Sequence, residues 1–411
     1  MAPQPTTTSG PAPPALVLNN AIISKFKPAK IFKGAVDAVQ PPTPGSQASR
    51  QHVLPRSITG ITFDDRGDQL VTAGDDETFR LYGCKTGKHT LNSKKYGIDL
   101  PRFTHKNSAI IYASTKEDDT IRYHSLHDNK YLQYFKGHKD RVISLEVAPL
   151  NDEFISGSLD KTARLWDLRT PVCRGLIPTP VPPIVAYDPQ GVIFAVGINS
   201  YAKILAYDSS NFDAGPFMTC KVEDPTLAQI SFPPREIYMT SISFSSTGRF
   251  ILAGCSGSAH YILDAYQGIV IAKLEGHTGL ERKSLTSPPT VDPAPGISRE
   301  EVSWTPDSKF VIGGSLDGRI FVWDVQNLRP LDPPPPSDDS MNPRPTFPPI
   351  RIQPLTVLDG HPGPSRCVKF NPRFAMMATA GTELAFWLPD PTTDADEVAK
   401  ELLKKKGFPS A

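Results

Sequence analysis

An excess of one charge sign is what this sequence most plainly lacks. Its 44 Lys and Arg stand against 43 Asp and Glu, a formal balance of +1, so the basic surplus of a protein held mainly by nucleic-acid phosphates is missing. Direct sequence-specific nucleic-acid binding is therefore not expected. Cysteine is scarce as well. Cys84, Cys173, Cys220, Cys255 and Cys367 are odd in number, scattered, and contain no C-x-x-C pair, which argues against a disulfide framework or a zinc site and for a reducing compartment. No run reaches the roughly 18 consecutive apolar residues of a membrane-spanning helix. Met1 to Pro14 is rich in Pro and Thr, with neither a basic n-region nor an apolar h-region. We expect a soluble, intracellular chain with no membrane partner. No G-x-G-x-x-G follows a strand-like run, and no long helical period intervenes, so the alternating strand and helix of an α/β enzyme is absent.

What the sequence does contain is a repeat. One unit runs from Gly137-His138 through Val142, Leu145 and Val147, then Phe154 to Thr162, and ends Arg164-Leu165-Trp166-Asp167, with 27 residues between the two dipeptides. The same frame places equivalents of Trp166 at Tyr82, His124, Tyr207, Leu263, Trp323 and Trp387, with steps of 42, 42, 41, 56, 60 and 64 residues. Steps of 41 and 42 are the length of one four-stranded propeller blade, and the longer ones hold insertions. Runs such as Leu70-Val71-Thr72 and Thr78 to Tyr82, parted by Asp64-Asp65-Arg66-Gly67 and Ala73-Gly74-Asp75-Asp76, read as strands and turns. The expected fold is all-β, a seven-bladed WD-repeat β-propeller. The repeats are degenerate: Gly-His recurs only at Gly276-His277 and Gly360-His361, and Trp-Asp only at Trp323-Asp324.

Residues 1–20 read as a disordered Pro/Thr-rich end, 21–389 as the propeller, and 390–411 as a polar tail with a short amphipathic helix. The seventh repeat ends at Phe386-Trp387-Leu388-Pro389 one strand short. The run Ala21 to Phe26, or the adjacent Lys30 to Lys33, is placed to supply that strand and leave no open edge between first and last blades. Three segments, 222–234, 279–297 and 326–354, fit no blade. The last has nine prolines between Pro330 and Pro349, a composition that favours polyproline II over sheet; it reads as a solvated loop or as a ligand for a proline-recognising module.

His138, Ser156 or Ser158, Asp160 and Trp166 include the residue types of a hydrolytic triad. The same types recur at His277, Asp317 and Trp323, whereas a nucleophile and its base are needed once. A structural hydrogen-bond chain is expected in each, the imidazole bridging a turn carboxylate and a strand hydroxyl while the indole N–H donates. The acidic pairs Asp64-Asp65, Asp75-Asp76, Asp118-Asp119 and Asp338-Asp339 lie in turn-like sequence that favours Asp for its bonds to nearby backbone. His124 and His127 have no third ligand, so no metal is expected, and no cofactor and no enzymatic activity either. The rim residues entering the innermost strands, near Ser57, Asp99, Lys139 with Arg141, Tyr238 and Arg299, are mixed in charge. Such a surface suits protein partners held by a few Tyr or Arg anchors.

The wording of several stretches is more specific than the period. Leu91 to Gly97, Asp118 to Tyr123, Ser125 to Tyr131, Phe154 to Thr162 and Ala385 to Pro389 closely resemble the WD-repeat subunit of the COMPASS histone lysine methyltransferase complex, shared in some lineages with the cleavage and polyadenylation machinery. The resemblance spans roughly Ile22 to Pro389. It implies a nuclear, non-catalytic scaffold, with the methyltransferase catalytic subunit and other COMPASS subunits as partners. It also implies links to cleavage and polyadenylation factor subunits, RNA polymerase II and transcription termination. The proline-rich amino end, the insertions 279–297 and 326–354, and the basic tail depart from the shorter family pattern. A rival reading rests on Leu165 to Arg169, because Trp-Asp-x-Arg is similar to the box of WD-repeat substrate receptors of cullin-type ubiquitin ligases, with Arg169 as the contact.

Overall fold

The computed structural model describes residues 18–37, 56–84, 88–92, 95–199, 202–230, 232, 236–280, 300–329 and 348–390. Their strands form seven sheets. Apolar residues alternate along short strands and the turns between them carry Asp, Gly and Ser, so each blade is an antiparallel meander with an innermost, two middle and an outermost strand. Blade one begins at Ile58–Phe63, blade two at Asp99–Phe103, blade three at Val142–Val147 and blade four at Pro183–Tyr187. Blades five, six and seven begin at Met239–Phe244, Val302–Trp304 and Cys367–Phe370. Each innermost strand packs against the next, and that of blade seven packs against that of blade one. The ring therefore closes, as the seven anchors predict.

All seven anchors fall on the third strand of their blades. Tyr82, Trp166, Trp323, Trp387 and Leu263 are essentially fully buried, each wedged between its own sheet and a neighbour. Burying one such side chain stabilises by about 1.5–3 kcal/mol, and these five wedges spaced round the ring explain why the anchors stay large while the rest of the repeat drifts.

Closure of the ring combines the two candidate segments. Phe26–Phe32 pairs antiparallel with Leu384–Pro389, and the register slips between Pro28 and Lys30. Proline lacks the N–H that a central strand must donate, and it is tolerated on this outermost strand. Upstream, Asn20–Ile23 is a helical turn rather than strand, its N-cap Asn19 accepting from the Ile22 amide. Ile22, Ile23 and Phe26 are buried in the cluster that contains Trp387 and Phe370, and Phe32 meets Tyr82 of blade one edge-on at 4.8 Å. One segment thus joins blade seven to blade one.

Two of the segments that fit no blade in the sequence contribute to the fold. Ile350–Ile352, inside 326–354, pairs in parallel with Ile269–Glu275 and gives blade five a fifth strand. The chain then supplies Thr356–Leu358 as the outermost strand of blade six. In 222–234, Asp224 is buried: it accepts from Tyr261 Oη at 3.0 Å and pairs with Lys273 Nζ at 2.8 Å. Most of 279–297, the proline run from 330 to 347 and the tail from 391 onward lie outside the described residues. So does the helix expected in that tail.

Candidate functional site

In blade three the structural chain is complete. Asp160 Oδ2 lies 2.9 Å from His138 Nδ1, and His138 Nε2 lies 2.8 Å from Ser156 Oγ. The Trp166 indole N–H donates to the same Ser156 Oγ at 2.8 Å. Every polar atom is served if the neutral imidazole donates from Nδ1 to the carboxylate and accepts the serine proton at Nε2. Burial pushes the His138 pKa down, against the pull of Asp160. Asp160 itself sits at about 2: burial raises it, but donors from Thr162, the Lys139 amide and His138 outweigh that. Ser156 is fully buried, which leaves its hydroxyl no route to a substrate. Ser158, the other candidate, donates instead to the Asp140 carbonyl at 2.7 Å.

Blade six does not repeat this wiring. The Trp323 indole donates to the Glu275 carbonyl at 2.8 Å, His277 Nε2 lies 3.2 Å from the Gly257 carbonyl, and Asp317 holds Arg319 at 2.5 Å. The expected His277, Asp317 and Trp323 network is therefore corrected. Its cause is Gly313, which occupies the place of Ser156 in the sheet. There is no hydroxyl to join imidazole to indole, and a Cβ at Gly313 would lie 2.8 Å from the Trp323 ring. Blade seven has a partial version that the sequence reading passed over. His361 Nε2 and the Trp387 indole both meet Thr379 Oγ1 at 2.7 Å, and the available signal was Gly360-His361 before Trp387. In blades one and two the turn aspartate pairs with an arginine at the sheet position of Arg164: Arg80 pairs with Asp76 at 2.8 Å, both buried. Arg122 pairs with Asp118 through two bonds of 2.8 and 2.9 Å, with its guanidinium 3.6 Å from the centre of the Tyr96 ring.

The rim candidates separate into two groups. Arg141 donates to Asp99 at 2.7 Å, tying blade three to the start of blade two, and Asp99 is buried. Ser57 donates to Asp75, and the Tyr238 hydroxyl donates to Glu236 at 2.8 Å. The Lys139 amide is held by Asp160 while its side chain is exposed. Arg299 lies outside the described residues. Arg169 sits at the turn after the Trp166 strand, the end opposite Arg141. Its guanidinium is paired with Asp167 at 2.9 and 2.6 Å, so it holds its own strand end.

A second concentration of polar groups lies inside the ring. Arg102 of blade two reaches Glu300, just ahead of the innermost strand of blade six, at 2.5 Å. Lys369 of blade seven meets the same carboxylate oxygen at 3.2 Å. Such pairing across the channel has no signature in the sequence, because it joins residues 198 positions apart.

Comparison with known proteins agrees with this architecture. The WD domain, G-beta repeat family matches residues 48–83, 129–167 and 300–324. The chain is 40% identical to WD repeat-containing protein 82 of Drosophila melanogaster over 375 residues, which is 90% of this chain and 97% of that protein. It is 33% identical to the Set1 complex component swd2 of Schizosaccharomyces pombe, covering 80% of this chain and 92% of the relative. With the COMPASS component SWD2 of Saccharomyces cerevisiae the identity is 32%, over 81% and 91%. A closed seven-bladed ring with these full-length relatives places the chain in the WD-repeat family that contains WD repeat-containing protein 82 and the SWD2 proteins.

Proposed function

We propose that this protein is a non-catalytic scaffold subunit of a nuclear Set1/COMPASS-type histone methyltransferase complex. The observation that carries the reading is the family itself: two relatives matched over more than nine-tenths of their length bear the names of Set1 and COMPASS components. The local chemistry is consistent with it. The Ser, His and Asp of blade three are committed to one another and to an indole in the interior, whereas the rim offers paired charges and a tyrosine of the kind that orients protein partners.

The test is affinity purification of the tagged protein from nuclear extract, with co-purifying chains identified by mass spectrometry. The expected result is recovery of a Set1-type catalytic subunit with other COMPASS subunits, and histone lysine methyltransferase activity in the eluate. Additional recovery of cleavage and polyadenylation factors with RNA polymerase II would extend the role to RNA 3′-end processing and termination. Recovery of a cullin adaptor without the methyltransferase subunits, lost on Arg169→Ala, would replace the reading with that of a ubiquitin-ligase receptor.

A further inference from the structure

The innermost strands enclose a cavity of about 740 Å³ with walls from all seven blades. Phe63, His105, Phe244, Trp304 and Arg373 line it, which sets its mouth at the end where these strands finish, away from Arg141. Three carboxylates line the cavity. Asp65 lies 3.3 Å from His105, and Glu300 holds both Arg102 and Lys369. Glu146, on the innermost strand of blade three, forms no ion pair with any described residue.

Two buried polar atoms here have no hydrogen-bond partner, and one of them is a charged acceptor. Arg102 and Lys369 converge on one oxygen, Glu300 Oε1, and leave Oε2 buried without a partner. Ser303 Oγ also has none, although the residue is only 7% exposed. A buried acceptor without a donor is costly, and a charged one more so. Of the cations that line the cavity, Arg102 and Lys369 are engaged by Glu300, and Arg373 at the mouth donates to the Asp65 carbonyl; a donor carrying positive charge would meet Glu300 Oε2 and Ser303 Oγ, which have no partner.

We propose that this cavity is a socket for one arginine or lysine side chain of a protein partner, with Glu146 as its counter-ion and Glu300 Oε2 and Ser303 Oγ as further acceptors. Phe244 and Trp304 supply an apolar and aromatic lining for the aliphatic stem and the cationic head. The charged groups that face Glu146 set its titration. Burial raises its carboxyl to about 7, Arg102, Lys369 and a hydrogen bond from the Tyr187 amide pull it down, and Glu300 pushes it up, while Glu146 in turn helps hold the Tyr187 phenol protonated. At the mouth, protonation of His105 beside Asp65 adds positive charge as the pH falls. Both effects weaken cation binding in acid, and only the first depends on Glu146.

The inference adds a partner chemistry to the scaffold role without depending on it. The test titrates the full chain with N-acetyl-arginine methylamide and N-acetyl-lysine methylamide, followed by NMR, with the citrulline methylamide as uncharged control. Saturable binding of the cationic probes, about tenfold tighter than citrulline, is expected. Affinity should fall about tenfold from pH 8 to pH 6, as the ionised fraction of a carboxyl titrating near 7 drops from about nine-tenths to about one-tenth. Glu146→Gln should remove that preference while leaving the thermal unfolding curve in place; Ser303→Ala, which keeps the carboxylates, should weaken binding and serves if the first variant does not fold. Equal binding of citrulline and arginine probes, no saturation by about 10 mM, or full binding in a folded Glu146→Gln would overturn the socket. Such a failure would leave the co-purification test of the scaffold role untouched.

Discussion

Blade three and blade six carry the same signature, Gly-His early and Trp-Asp late, and use it differently. In blade three the imidazole connects a carboxylate to a hydroxyl that also serves the indole. In blade six the indole serves a backbone carbonyl of blade five, and His277 stacks flat on His260 of that blade at 4.2 Å and 6°. The first is a hydrogen-bond chain within one blade and the second is aromatic packing across a seam. Trp323 stands edge-on to both imidazoles, at 5.5 and 5.9 Å, and ring quadrupoles favour that geometry. A shared dipeptide therefore predicts that an aromatic anchor is buried, and leaves open what satisfies its polar atom.

Acid should separate the two blades most strongly. Burial lowers His277 to about 4, and burial also drives His260 well below its usual value. An imidazole whose folded pKa is depressed stabilises fully above its unfolded value near 6.5, and that contribution is lost as the pH falls from there toward 4. For His277 the loss amounts to about 3 kcal/mol. His138 has Asp160 beside it to accept the added charge, whereas the neighbour of His277 is a second imidazole. Hydrogen exchange at pH 7.5 and pH 5 should show protection falling further in Ile320–Asp324 than in Thr162–Asp167; an equal fall in both would mean that the stacked pair is no weaker than the hydrogen-bonded one.

The carboxylates invert that order. Asp160→Ala removes the acceptor of Thr162, His138 and the Lys139 amide, most of it in the interior, and should destabilise by about 3 kcal/mol in urea unfolding. Asp317→Ala breaks a pair with the half-exposed Arg319 and should cost less than about 1 kcal/mol. Similar losses at the two sites would show that the blade-six aspartate carries interior structure that its exposure conceals.

How much of this was legible beforehand follows from the physics of each part. The period, the seven anchors and the joining of both chain ends in blade seven depend on local pattern and on a buried residue at a fixed strand position, so the sequence displays them. The failure at His277 was readable too, since Gly313 stands ten residues before Trp323 as Ser156 stands ten before Trp166, but the comparison of types alone passed over the missing hydroxyl. Two features had no local signal. Ile350–Ile352 returns to blade five after a long insertion, and its parallel pairing leaves no turn to read. Arg102, Glu146, Glu300 and Lys369 come together only because four separate blades face one channel.

That missing hydroxyl gives a smaller prediction in each direction. Ser156→Ala leaves the Trp166 indole and His138 Nε2 without their shared partner and should cost about 2 kcal/mol. Gly313→Ser would restore the blade-three residue type to blade six, yet its Cβ would press on the Trp323 ring at 2.8 Å, so it should destabilise rather than rescue, by about 1–3 kcal/mol. A stabilising Gly313→Ser would mean that the ring can swing toward the new hydroxyl, and that the two blades differ in occupancy rather than in design.

The smallest effect belongs to Arg169. Its guanidinium is largely exposed and already bound by Asp167, so Arg169→Ala should leave the thermal unfolding midpoint where it is. Arg141 is the contrasting case, because it is the direct partner of the buried Asp99 and its loss leaves that carboxylate in the interior without its guanidinium. Arg141→Ala should therefore cost about 1–3 kcal/mol. Comparing co-purified partners of the two variants at matched folded fractions then isolates the face that matters: loss confined to Arg141→Ala assigns recognition to the end where the innermost strands begin, and loss confined to Arg169→Ala assigns it to the end where the Trp-Asp strands finish.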